Sequence, residues 1–183
     1  VYGFEPVPEN FDILVRNLAR NQISNVVVEQ RAVGSEVGNS TIYLEDRSIG
    51  THSLLRNENS NLAKSISVPV TTLDSYFADA MPDVVHLLKI DVEGYEPNVL
   101  EGATTLLGRT DHLLIEYNRA SIDANGGVDA FIALLAGFNH LYEINERSHA
   151  LGIFSRSDFY ATHYVNLFAS KREAPDSILH HVG

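Results

Sequence analysis

A chain of 183 residues with 44% hydrophobic content is long enough to bury one sizeable core and has the composition of an ordinary soluble domain. Its formal net charge of -11, with 13 scattered basic residues, argues against nucleic acid or an anionic membrane surface as a partner. The absence of cysteine excludes disulfides, thiolate catalysis and thiolate metal sites and fits a reducing, cytoplasmic setting, while no apolar run approaches the roughly 20 residues of a membrane span.

Residues 1–5 read as a short buried strand, ended by Pro6 and Pro8, which open a helix. Phe11, Leu14, Val15 and Leu18 then recur at helical spacing and mark one face. Asn25 to Val33 predicts a second strand centred on Val26-Val27-Val28, and Thr41 to Leu44 is expected to continue it as a hairpin. Residues 48–62, rich in Ser and Asn, read as a long polar loop. Ser65 to Val70 predicts a strand, and Leu73 to Ala80 a short helix with Thr72 as its N-cap.

Val84 to Val92 predicts a central strand that breaks at Gly94 and runs into a helix opened by Pro97 and closed by Gly108. His112 to Tyr117 predicts a strand, Asp129 to Ala136 a helix, and Phe138 to Ile144 and Tyr164 to Ala169 two further strands. Strands alternating with helices, with no repeat or linker, predict a single α/β domain over residues 1–183 built on a mainly parallel, doubly wound sheet.

Chemistry concentrates at expected strand ends, where open α/β sheets bind their ligands. Lys89, Asp91 and Glu93 stand at every second position of an apolar strand and so share one face. Asp91 and Glu93 could hold a substrate, orient an ammonium or metal, or act as a base; an internal ion pair with Lys89 explains the charges equally well. Glu5, at the end of the first strand, is either an acceptor for ribose hydroxyls or a solvated loop acid. Glu116 and Tyr117 end another apolar run, Leu113-Leu114-Ile115, beside the same crevice if the strands are neighbours. His52, in the long polar loop, is a general-base candidate or a solvated surface histidine. There is no G-x-G-x-x-G, no G-x-x-x-x-G-K-[ST] and no G-x-S-x-G, so nucleoside-triphosphatase and serine-hydrolase readings lose their support.

Three segments together resemble the FkbM family of S-adenosylmethionine-dependent methyltransferases. They are Tyr2-Gly3-Phe4-Glu5-Pro6 with Glu9-Asn10, Leu18 and Asn21; Val68-Pro69-Val70-Thr71-Thr72-Leu73-Asp74; and Leu88-Lys89-Ile90-Asp91-Val92-Glu93-Gly94-Tyr95-Glu96 with Val99-Leu100 and Gly102-Ala103, followed by Leu114-Ile115-Glu116. The likeness spans roughly residues 1–120. It implies a class I methyltransferase (Rossmann-like) fold, S-adenosyl-L-methionine as methyl donor, and transfer to a hydroxyl oxygen on a sugar, glycolipid or polyketide-like small molecule. Within it Glu5 would hold the adenosine ribose, and Arg31, Ala32 and Val33 would lie near the adenine. Asp91 would face the methionine end of the donor, with Glu93 close to the acceptor pocket; Glu116 and Tyr117 are expected to bind the acceptor from their place at the neighbouring strand end. The family's first strand, with its D-x-G-x-x-x-G-type loop, is expected before Val1, so the domain is read as N-terminally incomplete.

Methyl transfer to a neutral hydroxyl needs alignment and a base, for which Asp91 or Glu93 is preferred and His52 held in reserve. No resident metal is expected, although Asp91, Glu93 and Glu116 would together suit Mg²⁺ or Ca²⁺. The alternative from another class is a noncatalytic methyltransferase-like interaction module lacking a competent cofactor loop. The acceptor and the oligomeric state are not written in the sequence.

Overall fold

The computed structural model describes residues 1–45, 62–145 and 147–175. Strand β1 (Tyr2–Phe4) leads into helix α1 (Pro8–Arg20), and β2 (Val27–Glu29) returns parallel to β1, with Tyr2 opposite Val27 and Phe4 opposite Glu29. Pro8 sits in the first turn of α1, where its missing N–H goes unneeded, and Glu9 places a negative charge near the positive end of the helix dipole. The expected strand over 25–33 is two strands. After Gln30 and Arg31 the chain leaves the β1–β2 pair, and β3 (Ala32–Val33) joins a different sheet.

That sheet has β5 (Leu62–Thr71) at its centre, with β3 parallel on one side and β4 (Gly38–Glu45) antiparallel on the other. The expected hairpin between the 25–33 strand and residues 41–44 is thereby corrected: β4 pairs with β5, Gly38 opposite Val70. The physical reason is burial. Ile42 on β4 and Val68 on β5 close over Ala32 and Val7 in one small apolar cluster, which a local hairpin would leave open. The polar loop read over 48–62 falls outside the described residues but for Leu62, which opens β5.

Thr72 caps α2 (Leu73–Tyr76) as expected, its Oγ1 accepting the Ser75 N–H at 2.9 Å, and a 3₁₀ turn over Ala78–Ala80 follows. Then come β6 (Val85–Ile90), α3 (Glu96–Glu101), α4 (Thr104–Gly108) and β7 (Thr110–Asn118). The rest of the described chain is α5 (Arg119–Ala124), α6 (Gly127–Leu134), β8 (His140–Asn145), β9 (Ala150–Ile153) and β10 (Tyr164–Ser170). These strands form a five-stranded sheet in the order β6-β7-β10-β8-β9. The α/β class is as expected. The sheets are mixed, however: β1–β2, β3–β5 and β6–β7 are parallel, and every ladder of β10 and β8 is antiparallel. In β1–β2 and β6–β7 helices carry the chain back for parallel pairing, whereas β3 and β5 are joined through β4, and the larger sheet turns antiparallel where β10 inserts between β7 and β8.

The main core joins the helices to this larger sheet. Leu100, Leu106, Leu113, Ile115, Ile122, Phe131, Phe138, Phe159 and Leu167 lie within it, and Phe4 from β1 packs against it. Each such side chain contributes about 1.5–3 kcal/mol by leaving water. The helix expected from Pro97 to Gly108 is broken at Gly102-Ala103, and β6 stops at Ile90 rather than Val92, so the acids that follow it stand on a turn.

Candidate functional site at the strand ends

Asp91 is the first residue beyond β6, and its carboxylate takes the Lys89 ammonium at 2.6 Å in an exposed pair, the two side chains 50% and 64% accessible. That pair is the bland role open to Lys89 from the sequence. The turn that follows is tight and left-handed: Glu93 has φ 54° and Gly94 φ 96°. Glycine adopts this region freely and glutamate does not, so something must hold Glu93 there. Glu93 was expected to continue the alternation of Lys89 and Asp91; the turn removes it from that strand face.

Glu96 does the holding. This side chain, at the start of α3, is 1% exposed, and its Oε1 accepts the N–H of Val92 at 3.0 Å and of Gly94 at 3.2 Å. Burial pushes its carboxyl up from the ordinary value; its own N–H and those of Val92 and Gly94 pull it back, and the charge of Glu116 adds to the rise. Sequence reading passed over Glu96 as one more acid at a helix start. The available signal was a glutamate two residues past a turn glycine and immediately before a helix-opening proline.

Glu116 belongs to the same end of the sheet. Ile90 pairs with Ile115 in the parallel β6–β7 ladder, so Asp91 and Glu116 are the next residues on adjacent strands. Glu116 is half-buried and accepts the Tyr164 hydroxyl at 3.1 Å from β10. Tyr117, expected at the acceptor, is placed elsewhere. Its side chain alternates to the opposite face, is fully buried between Phe131 and Phe159, and gives its hydroxyl to the Phe159 carbonyl at 2.8 Å. Asn118 instead caps α5, its Oδ1 accepting the Ala120 N–H at 3.1 Å.

A second group of residues gathers at the ends of β1 and β2. Glu5 follows β1; its N–H donates to the Glu29 carbonyl at 3.0 Å and one carboxylate oxygen accepts the Val7 N–H at 2.8 Å. Glu29 pairs with Arg31 at 3.0 Å and accepts the Tyr76 hydroxyl at 3.0 Å, while the Arg31 guanidinium lies 5.8 Å from the Tyr76 ring centroid. Arg31 Nε is buried with no hydrogen-bond partner among the described residues. Ala32 and Val33 face inward, Ala32 into the small cluster with Ile42 and Val68 and Val33 against the main core, so contact with a ligand would fall to their backbone. Tyr95 reaches the segment that follows β3. It follows the left-handed turn, and its ring lies against Gly34 so closely that a methyl at Gly34 would stand 3.1 Å from Tyr95 Cε1.

His52 lies outside the described residues. Between β8 and β10 lies β9, and His149 just before it sits at φ 54°. Among the described residues no three His, Asp or Glu side chains group as a metal site would require, and no helix is long and apolar enough to cross a membrane.

The family model described as the Methyltransferase FkbM domain matches residues 1–151. Methyltransferase 1 of Beauveria bassiana is 32% identical over 122 residues, covering 56% of this chain and 48% of that protein. Methyltransferase sdnD of Sordaria araneosa is 31% identical over 130 residues, covering 56% and 50%. The chain thus spans about half the length of the curated relatives it matches. A crystal structure of Methyltransferase FkbM from Methylobacillus flagellatus superposes over 92% of this chain and 36% of its own, with a TM-score of 0.49 and 18% identity.

Proposed function

The chain belongs to the FkbM methyltransferase family, and from that premise we propose that it transfers a methyl group from S-adenosyl-L-methionine to a hydroxyl oxygen of a sugar, glycolipid or polyketide-like small molecule. The observation that carries the proposal is the juxtaposition of Asp91 and Glu116 on neighbouring parallel strands, with Glu93 on the turn between β6 and α3. Acids at the ends of parallel strands stand where α/β sheets hold their ligands.

The residues at the β1–β2 end suit a nucleoside. The Glu5 carboxylate offers an acceptor for vicinal hydroxyls, and the buried Arg31 Nε–H is a donor with no partner among the described residues. When bound, S-adenosylmethionine supplies an electrophilic methyl together with its leaving group. Asp91 or Glu93 then has one task, to accept the proton of the acceptor hydroxyl, directly or through a water. Glu116, steadied by Tyr164, serves the acceptor's other polar groups. No role falls to Tyr117, whose ring is part of the core. No metal is required.

The test uses full-length protein, isotopically labelled donor and a metabolite extract, followed by mass spectrometry of labelled products. With an acceptor in hand, Asp91→Asn and Glu93→Gln are compared by turnover and by calorimetry with S-adenosylhomocysteine. The variant that removes the base should lose ~10²–10⁴ in kcat while product binding persists. Full turnover in both variants would refute the base assignment. A protein that binds neither donor nor product would be an interaction module rather than an enzyme.

A further inference from the structure

We infer that Glu96 is a positioning residue for methyl transfer, its buried carboxylate fixing the turn that presents Asp91 and Glu93 to the reacting groups. The inference rests on the reading of those two acids given above. Three backbone N–H groups, those of Val92, Gly94 and Glu96 itself, converge on this one carboxylate. They alternate along the chain, so the side chain threads back over its own turn and closes it as a ligand would close a backbone cradle. The residue between two of the donors is Glu93, at φ 54°. A non-glycine residue holds that conformation at a cost of about 1–3 kcal/mol, and charge-assisted bonds on either side of it are what make it persist.

Glu96 is 1% exposed and so cannot touch a substrate. What it controls is direction. Asp91 and Val92 leave β6, the turn reverses the chain, and Pro97 commits it to α3. With the carboxylate gone, the N–H groups of Val92 and Gly94 lose their acceptor, Glu93 relaxes toward negative φ, and its carboxylate leaves the position it now holds. A displacement of about 1 Å in a reacting group is worth ~10² in rate.

Four variants separate this role from plain stability. Glu96→Ala empties the cradle, Glu96→Asp keeps the charge but shortens the reach, and Glu96→Gln keeps one acceptor oxygen while adding N–H donors. Phe131→Leu, in the core among Tyr117 and Phe159, serves as the control for lost stability. In full-length protein kcat should fall ~10²-fold in the alanine variant and ~10-fold in the glutamine variant, with the aspartate variant between them. The affinity for S-adenosylhomocysteine should stay within about threefold, a split between kcat and binding that simple loss of fold does not produce. If alanine does not fold, glutamine alone decides. A kcat no lower than that of Phe131→Leu at matched Tm overturns the inference while leaving the acids' roles intact. Full turnover of Asp91→Asn and Glu93→Gln removes the underlying reading, and this inference with it.

Discussion

Glu96 combines two demands that conflict at neutral pH, a charge to collect three N–H groups and a site from which water is excluded. Burial wins, raising its carboxyl above the ordinary 4.5, with the charge of Glu116 adding to the rise. The native state therefore holds this proton more tightly than the unfolded chain does. The stability this contributes is complete below about pH 4.5, the unfolded value, and is lost as pH climbs through the higher folded value. Glu96→Gln removes the titration. Wild type should accordingly lose Tm relative to Glu96→Gln as pH rises from about 4 to neutrality, which paired melts across that range would show. A constant difference would mean that the three N–H groups cancel the burial. The Lys89–Asp91 pair poses no such conflict, because both groups are exposed and such pairs contribute at most about 1 kcal/mol. Lys89, Asp91 and Glu93 were legible from the sequence as charges in an apolar strand. Glu96 was not, because an acid in a first helical turn is ordinary and its burial depends on how the turn folds over it.

At the scale of elements, two of the segments that carry the family resemblance, 68–74 and 88–103, touch through their backbones. The break between α3 and α4 brings Gly102 against Gly34, so closely that a Cβ on Gly102 would lie 2.0 Å from the Gly34 carbonyl oxygen and 3.1 Å from Thr72 Cβ. The Gly102 carbonyl accepts the Asp74 N–H at 3.0 Å, and the Asp74 carboxylate in turn caps α4 through the N–H groups of Thr105 at 2.8 Å and Leu106 at 2.9 Å. Residues near 34, 72–74 and 102–106 therefore form one joint, which holds the end of α3 and the start of α4. Gly102→Ala should destabilise the protein by about 1–3 kcal/mol or more, since the clash is with backbone and cannot be relieved by a rotamer change. Urea melts would register it as a lower midpoint at unchanged m. An alanine tolerated without loss would show that α3 and α4 can separate from β3. Apolar periodicity revealed a helix over this region, and Thr72 announced its own cap. The interruption at Gly102 was hidden because it answers to a carbonyl almost seventy positions away rather than to any local preference.

Across the whole molecule, alternation of strands and helices disclosed the α/β class and most of its elements. It did not disclose which strands pair, since β3 leaves β2 for β5, and β10 separates β7 from β8, through contacts distant in sequence. One consequence is a pair of open edges. Val85 gives its N–H to Arg109 at 2.9 Å on the β7 side, so alternation turns the N–H groups of Leu87 and Lys89 the same way and those of His86 and Leu88 toward the other edge. On β1 the N–H of Glu5 and the carbonyl of Val1 serve β2, which turns Tyr2 and Phe4 outward. Among the described residues no strand meets either edge, and Leu87 is left 52% exposed on a strand whose neighbours line the core. Amide hydrogen exchange should therefore be ~10²-fold faster at Tyr2, Phe4, His86 and Leu88 than at Gly3, Leu87 and Lys89. Equal rates in the two sets of amides would show that the outward edges of β1 and β6 are covered in solution.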